Sequence, residues 1–206
     1  MTDLRAAILR KLDRSSSDKW ERPERIQPGF ATQSGELAEL LKQKLQAVHA
    51  SMDIVRSAGR VEQSIADFLQ RHQSPMEVGV TSGIDIDTLS TDQGVVFYPC
   101  DDFAACHTVL TRSAYGIAET GTVVLPSSLQ RPTLANFLPD NCIVLLNEAD
   151  IVPYMEDALL KVKTSDEGMP RALNLISGPS KTADIEQTLV YGAHGPIQLH
   201  VIVRRD

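Results

Sequence analysis

An α/β fold with a mostly parallel sheet and helices on both faces follows from three features of the sequence. Short apolar runs alternate with segments of helical periodicity along most of the chain, the pattern of strand–helix–strand units. The helical segments carry start signals, such as Ser34 ahead of Glu36 and Glu39, or Pro153 before an apolar stripe. A chain of 206 residues, 42% hydrophobic and 23% charged, is also long enough and apolar enough for one full core.

Element by element, Leu4, Ile8 and Leu12 recur at helical spacing and predict a short amphipathic helix. Residues 13–33 are rich in Ser, Pro and charge and read as an arm. Its apolar residues Trp20 and Phe30 are anchors, against the body or against a second copy in a homo-oligomer. The folded domain is expected to span 34–206. Leu37, Leu40, Leu41, Leu45 and Val48 trace the buried stripe of its first helix, and Val61, Ile65, Phe68 and Leu69 that of a second. Strands are predicted at 77–81, 94–98, 122–125, 142–146, 172–177 and 197–203. A helix placing Val152, Met155, Leu159 and Val162 on one face follows the fourth, and a short helix from Ile185 to Val190, ended by Gly192, follows the fifth.

The net charge of −7, with no stripe of Lys and Arg, excludes a nucleic-acid backbone as partner. The N-terminus lacks the apolar core of a secretory signal, and no apolar run approaches membrane-spanning length, so a cytoplasmic protein is expected. Three cysteines, Cys100, Cys106 and Cys142, are an odd count without a close pair. That argues against a disulfide framework and against a self-contained four-thiolate cluster. They read as small apolar residues, with a reactive thiol at Cys106, beside His107, as the alternative. Asp85, Asp87, Asp92, Asp101 and Asp102 lack the spacing of a calcium loop, and His194 and His200 that of a metal pair; no metal or cofactor is expected.

Chemistry concentrates in two places. In Tyr115–Pro126, "YGIAETGTVVLP", Glu119 stands beside a buried strand, among Thr120, Gly121 and Thr122. A carboxylate there needs a partner, a ligand or a task. In the second, Gly178-Pro179-Ser180-Lys181-Thr182 leaves a strand and enters the predicted helix. Backbone N–H groups, the hydroxyls of Ser180 and Thr182 and the Lys181 ammonium suit a carboxylate or phosphate. Ser180 or Thr182 as a simple helix cap is the competing reading. His194 and Gly195, in the turn before the last strand, return to the same neighbourhood. His194 is a candidate acid/base or anion-orienting group, or a histidine bonded to backbone carbonyls.

Three ordered blocks, "GIAETGTVVL", "ISGPSKTADIEQTLV" and "GAHGPIQLHVIV", resemble the LUD-domain proteins, specifically the lactate-utilisation protein C family. The resemblance runs from about Ser34 to the C-terminus. It implies a fold akin to the NagB/RpiA/coenzyme-A-transferase group and a cluster-free accessory or substrate-binding role in oxidising L-lactate to pyruvate, alongside iron–sulfur partner proteins. The alternative is a stand-alone enzyme or binder for an acyl-coenzyme A or a phosphorylated small molecule. By fold analogy with the coenzyme-A transferases, Glu119 is then a candidate nucleophile. Pairing of Glu119 with Lys181 or with backbone N–H groups remains the structural reading.

Overall fold

The computed structural model describes residues 34–56, 59–166, 168–183, 189–191 and 195–205; the expected N-terminal helix and arm lie outside these. In chain order the elements are α1 (Ser34–Ala47), β1 (Ser51–Val55), α2 (Gly59–Arg71), β2 (Glu77–Val80), β3 (Val96–Pro99), β4 (Thr108–Arg112), β5 (Tyr115–Ile117), β6 (Thr122–Pro126), β7 (Asn141–Asn147), β8 (Ile151–Val152), α3 (Met155–Thr164), β9 (Leu173–Ile176), β10 (Lys181–Ala183), β11 (Leu189–Tyr191) and β12 (Gln198–Arg204).

Six strands form the main sheet in the order β1-β12-β7-β4-β2-β3, and every neighbouring pair is parallel. Its central strands are buried on both faces, which is why they read as continuous apolar runs. In β7, Val144 and Leu146 face one core with Leu37, Leu41 and Leu45 of α1. Ile143 and Leu145 face the other, with Val61, Ile65, Phe68 and Leu69 of α2. The expectation of a mostly parallel sheet with helices on both faces is met.

A second, four-stranded sheet of order β8-β5-β6-β9 shares the α1 core through Ala118, Val123, Leu125, Ile151 and Ile176. Its other face, Ile117, Val124 and Val152, is covered by Ala158 and Val162 of α3. β5 is parallel to β8, whereas β6 runs antiparallel to both β5 and β9. Strands β5, β8 and β9 therefore point the same way, and their carboxyl ends share one rim. Among the described residues no helix is long and apolar enough to cross a membrane.

Three expectations need correction. The helix expected from Val152 starts at Met155, because Val152 pairs with Ile117 as the end of β8; the residue before a proline is driven to extended conformation. Leu159 is correspondingly 37% exposed while Ala158 and Val162 are buried. The strand expected at 94–98 runs from Val96 to Pro99, since Gly94, at φ 74°, closes a turn with its N–H on the Thr91 carbonyl. The helix expected at 185–190 is not formed at its end: Leu189–Tyr191 pairs antiparallel with Lys181–Ala183 as a two-stranded ribbon.

Helices α1 and α2 both end in a left-handed residue that is not glycine, His49 at φ 67° and Gln73 at φ 53°. In each, the two N–H groups that follow the last turn close back on the helix: His49 to Gln46 and Ala50 to Leu45, Gln73 to Gln70 and Ser74 to Leu69. This Schellman closure favours glycine, because a Cβ is strained there. Gln73→Gly is expected to raise stability by about 1 kcal/mol, read as a higher midpoint in urea; an unchanged or lower midpoint would contradict it.

Candidate functional site

The rim at the carboxyl ends of β5, β8 and β9 collects most of the residues singled out from sequence. The β5–β6 turn holds Glu119, Thr120 and Gly121. Its backbone is pinned by Ala118 N–H to the Val152 carbonyl (2.9 Å), Glu119 N–H to the Pro153 carbonyl (3.1 Å) and Gly121 N–H to the Ile117 carbonyl (3.0 Å). Gly121 adopts φ 68° against α1, where an added Cβ would lie 2.6 Å from the Lys44 Cβ. Gly178, at φ 143°, meets the same end of α1, its imagined Cβ 2.8 Å from Val48 Cγ2. Both loops thus converge on the C-terminal turn of one helix, which only glycine permits at these distances.

A chain of hydroxyls joins them. Thr120 Oγ1 is 2.6 Å from Thr122 Oγ1, which is 2.6 Å from Ser177 Oγ. Thr122 is buried, whereas Thr120 and Ser177 are exposed, so the chain runs from the interior to the surface at both ends. Each hydroxyl donates and accepts, so the chain can reorient to match a polar ligand. Ser177 was not singled out from sequence; its position, directly after a strand and before Gly178-Pro179, was the available signal. The Glu119 carboxylate is half-buried and makes no hydrogen bond or ion pair among the described residues. The alternative in which it accepts backbone N–H groups of its own turn is not found there.

On the far side of this loop, Ser180 N–H donates to the Pro196 carbonyl (2.8 Å), and an added Cβ on Gly195 would lie 3.3 Å from Ser180 Cβ. Ser180 and Gly195 are therefore brought together as expected. Lys181 and Thr182 enter as backbone of β10, paired with Tyr191 and Val190. A strand start leaves no fan of free helix N–H groups, so the helix-terminus argument for an anion there falls away. His194 lies outside the described residues. Gly195 also precedes Ile197 and Gln198, whose N–H groups bond the Asp140 carbonyl at the start of β7 and β12. The loop is thus at the carboxyl end of β9 but at the amino end of the main sheet.

The residue pattern from β4 to β12 matches a known family: the LUD domain matches residues 100–203. A protein named Lactate utilization protein C from Anoxybacillus flavithermus is 31% identical over 179 residues, covering 85% of this chain and 73% of its own length.

The chain belongs to the LUD-domain family.

Another Lactate utilization protein C, from Macrococcus caseolyticus, is 27% identical over 97% of this chain and 93% of its own length. The protein YkgG of Escherichia coli is 37% identical over 45% of this chain and 41% of its own. A crystal structure of a DUF162 family protein from Deinococcus radiodurans shares the fold, with a TM-score of 0.62 over 84% of this chain and 99% of that one at 24% identity. In this LUD protein the matched segment contains the whole hydroxyl rim, Glu119 included.

The other candidates from sequence are accounted for by burial or local hydrogen bonds. Cys100, Cys106 and Cys142 are all buried and free. The Cys106 thiol donates to the Thr108 carbonyl (3.0 Å), and its neighbour His107 pairs with Asp140 (2.9 Å) instead of activating it. Burial pushes the Cys100 and Cys142 thiols up to about 12, which keeps them protonated and unreactive. Asp85 and Asp102 accept the N–H groups of Asp87 and Ala104 as local turn caps. Among the described residues no group of three His, Cys, Asp or Glu side chains could hold a metal ion. A cavity of about 790 Å³ lies at the opposite end of the second sheet, lined by Tyr115, Ser127, Arg131 and Asp166, and contains neither Glu119 nor any of the candidate ligand-binding residues named from sequence.

Proposed function

We propose that this LUD protein is a component of a lactate-utilisation system, acting with iron–sulfur partner proteins that carry the electrons when L-lactate is oxidised to pyruvate. The observation that carries the reading is similarity over most of both chains to a relative named Lactate utilization protein C. The chain itself offers buried, unreactive cysteines and a rim of hydroxyls with one carboxylate, groups that hold a small carboxylic acid but do not exchange electrons. In this reading the rim positions or shields a ligand or a partner's substrate, and Glu119 faces it.

The experiment is lactate oxidation with a dye acceptor, measured with this chain alone, the partners alone and both together. No turnover by the chain alone and at least a severalfold gain when it joins the partners is expected. Turnover by the chain alone would overturn the accessory role. The Glu119 carboxylate, without a partner among the described residues, specifically favours a second reading, acyl transfer with Glu119 as nucleophile. A hydroxylamine-sensitive adduct on Glu119 after incubation with acyl-coenzyme A, absent in Glu119→Gln, would establish it in place of the first.

A further inference from the structure

The two outer strands of the main sheet present different edges. In β3, Val96 N–H reaches the Met76 carbonyl, and just past its end Cys100 N–H reaches the Val80 carbonyl, so Phe97 and Pro99 face away from β2. Pro99 thus stands at an outward position with no N–H to offer, a device that closes an edge. Strand β1 has no such block. Its Val55 carbonyl accepts the Arg205 N–H at 2.8 Å, which turns the backbone groups of Ser51, Asp53 and Val55 towards β12 and those of Met52 and Ile54 outward. Among the described residues, the outward N–H and C=O groups of Met52 and Ile54 have no partner.

This open edge is the floor of a cavity of about 480 Å³, with Glu39 and Lys42 of α1 on one wall and Arg60, Gln63 and Asp67 of α2 on the other. Both helices run antiparallel to β1. Helix α1 begins beside Arg205, where an added Cβ on Gly35 would lie 3.8 Å from Nη2, and ends where Ala50 N–H meets the Leu45 carbonyl just ahead of the strand. Helix α2 sets Ser64 against Asp53 and then Phe68 against His200, the register partner of Ser51. The charges therefore have an order along the edge. Glu39 and Arg60 stand towards the carboxyl end of β1, Lys42 and Asp67 towards its amino end. Each wall carries one charge of each sign, and the two walls carry them in opposite order.

We infer that β1 pairs antiparallel with β1 of a second copy of this chain, joining two main sheets into one. A two-fold axis normal to the sheet keeps α1 beside α1 and α2 beside α2 and reverses their direction. Glu39 of one copy then meets Lys42 of the other, and Arg60 meets Asp67, so both walls are self-complementary. A foreign strand would have to bring this order of charges with it, whereas a second copy carries it already. The register follows from Asp53. An axis through Asp53 sets two carboxylates against each other, whereas an axis through Ile54 sets Asp53 opposite Val55 and pairs two isoleucines that are partly buried against the α1 core. The interface goes beyond the lactate-utilisation reading and does not depend on it.

Sedimentation velocity of the full chain over a concentration series reads the association directly, expected as a reversible monomer–dimer equilibrium that weakens with added salt. Glu39→Lys sets like charges across the α1 wall and should weaken the dimer at least about tenfold, as should Lys42→Glu. An equimolar mixture of the two variants should regain it, because each supplies the charge that the other lacks. A folding defect in either variant could not produce that recovery. Ile54→Pro removes an outward N–H that the pairing with β12 does not use, so it should abolish the dimer while the far-UV circular dichroism stays that of the wild type. Should Ile54→Pro not fold, the charge variants decide alone. A monomer at every concentration, a dimer indifferent to both charge reversals, or no recovery on mixing would each overturn the inference.

Discussion

Gly121→Ala is expected to destabilise the protein by about 2 to 4 kcal/mol, summing a left-handed backbone that an L residue resists with overpacking against a neighbour that cannot yield. The backbone stands at φ 68°. The added Cβ would lie 2.6 Å from Lys44 Cβ, 3.0 Å from Lys44 C and 3.1 Å from Leu45 N. The last two are helix backbone, held by the α1 hydrogen bonds and by Leu41 and Leu45 in the core, so no side-chain rotation relieves them. Gly94→Ala is the control: it has φ 74° but nothing within 4 Å of the new Cβ, so only the conformational part remains, about 1 kcal/mol. Urea denaturation of the two variants measures the difference. Equal losses would show that α1 moves aside freely and that the rim does not depend on its close approach.

Stability is also expected to fall by about 3 kcal/mol between pH 7 and pH 4 on account of His200 alone. This side chain is 1% exposed, stacked on Phe68, with ring centroids 4.9 Å apart. Ser64 Oγ donates to Asp53 Oδ2 at 2.7 Å, so it can only accept from His200 Nε2, 2.9 Å away. Nε2 therefore carries the proton and Nδ1 accepts from the Ser51 hydroxyl at 2.8 Å: a neutral ring, fully satisfied. Burial lowers its pKa from 6.5 to about 4; Asp53, 3.7 Å from Nε2, opposes this, while Arg71 and His72 assist. A depressed pKa means that the unfolded chain binds the proton first. The stabilisation is complete above the unfolded value of 6.5 and is lost as pH falls towards 4. His72, lowered by burial and by Arg71, adds in the same direction. Unfolding free energies of wild type and His200→Gln across this range test the point. The variant should show a clearly flatter slope from pH 7 to 5, and parallel curves would refute the assignment.

The strands that could be read from sequence are those whose environment is the same on both faces. Asn141–Asn147 and Gln198–Arg204 lie at the centre of the sheet and contain unbroken aliphatic runs. Ser51–Val55 and Thr108–Arg112 were missed because polar residues interrupt them. Ser51 and Asp53 are admitted because His200 and Ser64, distant in sequence, satisfy them, and Cys106 and Asn141 satisfy the Thr108 carbonyl and hydroxyl. Glu62 hid for a related reason. At the start of a helix it reads as a solvated residue favourable to the dipole, yet it is 2% exposed and accepts the Ser90 N–H from a segment distant in sequence.

Local sequence determined the helical stripes of α1 and α2, the buried central strands and the glycines at Gly121 and Gly178, because each follows from side-chain period or backbone freedom within a few residues. It also carried the ordered blocks that mark a LUD domain. Tertiary structure alone decided that Thr122 and Ser177, 55 positions apart, share one proton-sharing chain, and that Lys181–Ala183 starts a strand and not a helix. Strand pairing is non-local: a partner's register determines which face a residue presents and which polar groups end up buried, and no window of neighbouring residues encodes that choice.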